Sequence, residues 1–388
     1  MKVLLVTAFL PEKYNRNGPR QLLYSLLRKK PKDVLIDVIL FDKDLVNGSD
    51  YKTDIFFESN YLGDTVNNLM IMNPIIVNNF NYLFSLRTSR YLFRNKIKID
   101  YAKYNFIWLY PSWAYPDFRN CHSKILVTGM DCASLLFLRA VKNNWKFKVL
   151  YSTIMLMKSV LLEASVREGH VFHCVGIKDA EFFKKINKKA HILYAVHPFI
   201  FDYECKERKR DSRKKIVVGF SGEVNRFYYG NNYDRFFALM KVNKSLRDKI
   251  KLKFLGKDWH QFLLDLERSG FDCEWQPYVD RYEEFLGNID IQIFLHTTGA
   301  GVKGKVVQAL GYGCLVIGTD IAFDEVPSSC FKVVTSSCDE AANSLEWVVD
   351  NWVGFKDKLK NNETIIRNHF QEESCCNMFW NGVNRLFL

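Results

Sequence analysis

The sequence predicts an α/β protein built from two doubly wound, Rossmann-like parallel-sheet domains. Three observations carry this. Short, continuous apolar runs alternate with segments of helical spacing through residues 1–203, the pattern of βαβ units whose strands are covered on both faces. The alternation stops in a polar, basic stretch and starts afresh at Ile216. A glycine-rich turn late in the second half lies between an apolar run and a helix, where open parallel sheets bind ligands. A length of 388 residues also exceeds one ordinary core.

The elements follow in order. Residues 3–9 (VLLVTAF) form a buried strand, Asn17-Gly18-Pro19 a loop, 20–27 (RQLLYSLL) a helix and 34–41 (VLIDVILF) a second strand. Residues 106–110 (FIWLY) and 124–128 (KILVT) read as strands, 133–141 and 153–167 as helices, 171–175 as a strand, 179–186 as a helix and 191–195 (HILYA) as a last short strand. Residues 204–215 read as a basic solvated linker. The restart runs through strand 216–220 (IVVGF), helix 233–240, strand 250–255 (IKLKFL), helix 259–269, strand 272–276 and short helix 282–286. Strand 289–295 (IDIQIFL), the glycine-rich turn with its helix, strand 315–319 and a further strand at 331–334 complete it. The expected domains are 1–203 and 216–365, with a helical tail, 366–388, placed to pack back on the first domain.

A net charge of +12 suits nucleic acid, anionic headgroups or phosphorylated ligands. Neither zinc-finger spacing nor an aromatic RNA-binding pattern accompanies it, so no nucleic acid is expected as a partner. The ten cysteines include no C-x-x-C pair, and Cys375 and Cys376 are adjacent. Reduced thiols of a cytosolic protein are expected, with neither disulfides nor zinc. Pro11-Glu12-Lys13 follows the first apolar run without a small-residue cleavage site, so that run reads as a strand and not a signal peptide. Lys158 breaks the apolar stretch 149–162, and no membrane span is expected.

Residues 296–320 (HTTGAGVKGKVVQALGYGCLVIGTD) make a phosphate-binding loop, helix and strand. Gly299, Gly301 and Gly304 let backbone amides approach an anion. The helix N-terminus adds about half a positive charge, and Lys303 and Lys305 add full ones. Three motifs fit. The P-loop spacing runs from Gly299 to Lys305, but Val306 stands where a magnesium-binding Ser or Thr belongs. The dinucleotide spacing runs from Gly299 to Gly304, with Asp320 at a following strand end, but the helix stops early at Gly311-Tyr312-Gly313.

The third motif uses more sequence. Gly299, Gly301, Lys303, Lys305-Val306, Gln308-Ala309-Leu310-Gly311, Gly313, Val316-Ile317 and Thr319-Asp320 resemble the donor-binding signature of family 4 glycosyltransferases of GT-B fold. Residues 216–236, 252–256 and 275–279 match the family's preceding strands and loops in order, and the first domain matches more loosely, through Asn17-Gly18 and the turn 128–131. The resemblance implies two Rossmann-like domains facing across a cleft, the acceptor on the first and the nucleotide sugar on the second. It makes Asp131, Lys305 and Arg226 the catalytic candidates, with Arg226 and Lys305 on the donor diphosphate. Gly222, Gly299, Gly301, Lys303 and Gly304 would surround that diphosphate, and Asn17 and Gly18 would cover it from the first domain. Gln308 would meet the ribose and Tyr278 the base. Read alone, Arg226 and Lys305 are also ordinary loop charges, Asn17-Gly18 a βα turn, 275–279 a core strand and Asp131 a helix cap. The chain departs from the family at Met130, where a His is usual, and at Ala300 and Gln308, where acids are.

What the resemblance implies is transfer of a sugar from a nucleotide diphosphate sugar to a saccharide or lipid-linked glycan acceptor. The reaction would be retaining and metal-independent, in bacterial surface polysaccharide synthesis. No cofactor or metal is expected, and Asp42-Lys43-Asp44 reads as a loop despite its D-x-D spacing. The expected location is cytoplasmic, with the clusters in 142–148, 184–189 and 206–215 suited to an anionic membrane surface on the inner face. A non-catalytic nucleotide-sugar or phosphate-binding module, and a nicotinamide-dependent oxidoreductase, are the alternatives.

Overall fold

A computed structural model describes residues 1–11, 18–41, 66–72, 75–85, 87–92, 99–143, 147–201 and 215–388. The chain divides into two compact units. The first holds Met1–Leu138, Leu150–Pro198 and Glu372–Leu388; the second holds Arg139–Val149 and Phe199–Gln371.

The first unit is built on β1 (Lys2–Thr7), β2 (Leu35–Leu40) and β3 (Asn68–Ile71), a small pair β4 (Ile75–Ile76) and β5 (Tyr91–Leu92), then β6 (Phe106–Tyr110), β7 (Ile125–Gly129), β8 (Val171–Cys174) and β9 (His191–Tyr194). Seven of these make one sheet in the order β3-β2-β1-β6-β7-β8-β9. Every pairing in it is parallel. Val3 to Val6 and Phe106 to Tyr110 are buried throughout, because both faces of a central parallel strand are covered. The order reverses direction between β1 and β6, so their carboxyl ends flank a crevice.

Strand β3 and the antiparallel β4–β5 pair escaped the sequence reading. Their apolar runs are short, and β3 is an edge strand held partly by side chains: Asn68 Nδ2 donates to Asp37 Oδ1 at 2.7 Å. The helix expected at 153–167 is Phe147–Ala164, and that at 179–186 begins at Ile177.

The last helix, Glu372–Phe387, packs in the first unit although it is distant in sequence. Trp380 Nε1 donates to Leu26 O at 2.9 Å, and Phe387 stacks on Phe106 at 4.2 Å between centroids. Lys29 pairs with Glu373 at 2.7 Å.

The second unit contains β10 (Ile216–Ser221), β11 (Ile250–Leu255), β12 (Asp272–Gln276), β13 (Ile291–Phe294), β14 (Leu315–Thr319) and β15 (Val333–Thr335). Their order is β12-β11-β10-β13-β14-β15, all parallel. This is the doubly wound order with its switch between β10 and β13. A short helix, Arg226–Tyr229, precedes the expected one, which runs Asn232–Val242. An aromatic cluster fills one side of the sheet. Phe220 stacks on Phe254 at 5.0 Å, and Tyr233, Phe236, Phe237 and Trp259 surround them. Among the described residues, no helix is long and apolar enough to cross a membrane.

Candidate functional site

The candidate site lies at the carboxyl ends of the strands of the second sheet. Strand β10 runs into Gly222, whose φ of 111° lies in the region that favours glycine. A β-carbon on residue 222 would also run into Lys305 Nζ. The backbone at Gly222 is held on both sides: its amide donates to Leu255 O at 2.8 Å, and its carbonyl accepts from Trp259 Nε1 at 2.8 Å. One strand further out, Gly256 N donates to Gln276 O at 2.9 Å and Trp275 Nε1 donates to Gly256 O at 2.9 Å. The ends of β10, β11 and β12 are thus tied together in a row.

Across the switch point, β13 leads into the glycine-rich loop. Thr297 N donates to Tyr228 O at 2.7 Å, and Thr319 Oγ1 donates to His296 O at 2.6 Å, fixing the loop's approach to both neighbours. Gly301 turns the chain at φ 62°. The helix Gly304–Gly311 then starts, with Val306, Val307, Ala309 and Leu310 buried against the sheet. Its stem is clamped at the far end by Arg367 Nε, which donates to Gly311 O at 2.9 Å. The loop and the helix start lie at the same carboxyl end of the sheet as Gly222, beside the Lys305 ammonium, where the helix N-terminus adds positive potential.

The two lysines of the loop are placed differently. Lys305 is exposed and reaches back to Gly222. Lys303 was expected on the donor diphosphate, but its ammonium turns inward, donating to Ala300 O at 2.8 Å and Gly301 O at 3.0 Å. Gly299, Gly301 and Gly304 sit in the loop and helix start as expected, and Gln308 is half-buried on the helix.

His296 is a residue that the sequence reading did not single out. Its ring lies 4.7 Å from Tyr229 and 6.0 Å from Phe294. Burial, and then the charges of Lys303 and Lys305, push its pKa down to about 3. A neutral imidazole therefore stands at the carboxyl end of β13. Its Nδ1 is buried without a hydrogen-bond partner among the described residues. A lone His after an apolar strand carries no signal of this in sequence.

Arg226 opens the helix Arg226–Tyr229, capped by Asn225 Oδ1, which accepts from Phe227 N at 2.9 Å. Its exposed guanidinium lies 3.5 Å from Asp234. Tyr278 is exposed in the loop after β12, on a hollow of about 530 Å³ lined also by Lys253, Trp275 and Phe285.

In the first unit, Gly18 begins the helix Gly18–Arg28 beside the switch between β1 and β6. Its carbonyl faces His197 Nε2 at 3.3 Å, and Tyr110 Oη donates to Pro19 O at 2.6 Å. Asn17 and the Asp42-Lys43-Asp44 loop lie outside the described residues. Asp131 is exposed after β7. Beside it, Cys132 N donates to Asp179 Oδ2 at 3.0 Å and Ser134 N to Glu163 Oε1 at 3.2 Å. Burial pushes the Glu163 carboxyl up to about 7, against the hydrogen bonds from Ser134.

No protein-family model matches the chain, and no curated protein sequence does. Solved structures do match along its whole length. An Anabaena protein, HepE, in complex with UDP and glucose, superposes with a TM-score of 0.64 at 11% identity, covering 99% of this chain and 100% of that one. Sucrose-phosphate synthase from Thermosynechococcus elongatus gives a TM-score of 0.70 at 11% identity, covering 100% and 99%. WaaG, a glycosyltransferase involved in lipopolysaccharide biosynthesis, gives 0.60 at 12% identity, covering 100% and 99%. The chain has the GT-B fold of these proteins.

Proposed function

We propose that the protein is a glycosyltransferase that moves a sugar from a nucleotide diphosphate sugar to a saccharide or lipid-linked glycan acceptor. The single observation that carries this is the Lys305 ammonium lying against Gly222 at the switch point of a doubly wound sheet, beside a glycine loop that opens a helix. That arrangement suits an anion that gains charge. The leaving diphosphate does so as the glycosidic bond breaks, and fixed cations and helix amides stabilise it. The structural match to proteins solved with UDP and with UDP-glucose supports the same donor class.

On this reading Lys305 contacts the diphosphate, and Arg226 adds charge at the mouth of the same crevice. Tyr278 lies toward the base and Gln308 toward the ribose. The reaction is retaining and needs no metal: the departing phosphate helps deprotonate the acceptor hydroxyl on the front face, so no protein nucleophile is required. Asp131 acts from the first domain on the donor sugar or the acceptor hydroxyl. The basic surface suits work on the inner membrane face in surface polysaccharide synthesis.

A thermal-shift screen of nucleotide sugars, followed by product analysis with EDTA present, tests the reading, since a ligand bound only by the folded state raises its stability. Donor-dependent stabilisation and metal-independent transfer are expected. Binding without transfer or donor hydrolysis indicates the non-catalytic module, and stabilisation by nicotinamide cofactors alone overturns the proposal.

A further inference from the structure

We propose that Lys303 is a positioning residue that shapes the anion cradle, its ammonium clasping the carbonyls of Ala300 and Gly301 and so aiming the amides of Gly301 and Val302 at the diphosphate. The proposal rests on the nucleotide-sugar reading above.

The clasp is short and enclosed. Lys303 Nζ donates to Ala300 O at 2.8 Å and to Gly301 O at 3.0 Å, with the side chain 11% exposed. The buried Asp324 carboxylate stands 3.8 Å from the ammonium. The stem folds back across Gly299, where a β-carbon would come within 2.7 Å of Lys303 Cε. Gly299 therefore has a role besides close approach of a ligand: it leaves room for this lysine.

Peptide geometry then sets the direction of the amides. In a trans peptide the carbonyl and the following N–H point opposite ways. Two carbonyls drawn to one ammonium send the N–H groups of Gly301 and Val302 away from it. No backbone carbonyl among the described residues accepts from either amide. Successive N–H groups on one side of a turn form an anion-binding concavity, and here they run into the first turn of Gly304–Gly311. The two lysines of one motif thus divide the work: Lys303 shapes the loop and Lys305 touches the anion.

The test measures UDP binding by calorimetry, amide hydrogen exchange of the unliganded loop, and donor KM against kcat in Lys303→Met and Lys305→Met. Lys303→Met is expected to speed exchange across 299–304 and to weaken UDP about tenfold, raising KM and lowering kcat less than Lys305→Met does. Lys305→Met is expected to leave unliganded exchange unchanged and to lower kcat. Gly299→Ala is a second probe: its methyl displaces the Lys303 stem while both charges remain and also strains the backbone at φ 155°, so loop exchange should speed up and UDP binding weaken at least as much as in Lys303→Met. Weakened UDP binding with unchanged loop exchange in Lys303→Met would mean direct contact and overturns the proposal, as would unchanged binding. Wild-type protein that binds no nucleoside diphosphate overturns the nucleotide-sugar reading and the ligand assigned to these amides, while the exchange rates still decide the clasp.

Discussion

The ammonium of Lys305 stands 2.4 Å from the place a β-carbon on residue 222 would take, too close for both. The end of β10 and the helix after β13 are thereby fitted to each other through one missing side chain and one long one. Both groups lie at the switch point, where the crevice of a doubly wound sheet opens.

Lys305→Ala is expected to cut turnover by on the order of 10²-fold while leaving the fold intact, because it removes a fixed charge from the leaving diphosphate. Product formation under saturating donor checks this. Unchanged turnover in a folded variant removes Lys305 from the chemistry.

Gly222→Ala is expected to act on the same pair from the other side. The residue must hold φ 111°, which costs a non-glycine residue roughly 1–2 kcal/mol, and its methyl displaces Lys305 Nζ. A lowered melting temperature together with weaker UDP binding is the expected outcome. A variant with wild-type affinity would show that the lysine's position does not matter.

Trp259→Phe is expected to destabilise by about 1–3 kcal/mol. It keeps most of the buried ring but leaves Gly222 O without the indole donor now at 2.8 Å. Denaturant unfolding measures the loss, and a change within error would mean that the carbonyl finds another donor.

His173 predicts acid sensitivity. It is buried on β8, with Nδ1 3.2 Å from Thr128 Oγ1, and burial lowers its pKa to about 3. The unfolded chain takes up a proton near pH 6.5 that the native state refuses. Stability is therefore full above pH 6.5 and falls as pH drops toward 3, by about 1.4 kcal/mol per unit for one such group. His173→Asn should lower the melting temperature at pH 7.5 yet lose less on going to pH 5. Equal losses in both proteins would show that this imidazole does not set the slope.

Glu163 works in the opposite sense. Its carboxyl is raised from 4.5 to about 7, so the native state holds a proton that the unfolded chain releases, and stability falls as pH rises across that range. Glu163→Gln, which has no proton to lose, should gain on the wild type between pH 5 and pH 7.5. A constant difference in melting temperature across that interval contradicts the assignment.

Most of the fold was legible because buried parallel strands write themselves as continuous apolar runs. β1, β6, β10 and β13 are such runs, and each is covered on both faces. Strands β3, β4 and β5 were not legible. They are short or at an edge, and β4 is exposed, so no face of theirs demands an apolar pattern. The C-terminal helix announced itself as a helix. Its seat against Leu26 and Phe106 depends on contacts with residues far away in the chain.

For the candidate site, the sequence by itself determined the chemistry on offer: glycines that admit a close anion, a helix start to polarise it, and two lysines two positions apart. The tertiary structure alone decided how those lysines divide. Lys303 meets a space left open by Gly299 and folds onto its own loop, while Lys305 meets the space left open by Gly222 just past the end of β10. The physical reason is that a charge is a property of a residue, whereas its direction depends on which neighbours lack a β-carbon. For Lys303 that neighbour is set by the turn of its own loop, and for Lys305 by the sheet order that brings β10 beside β13.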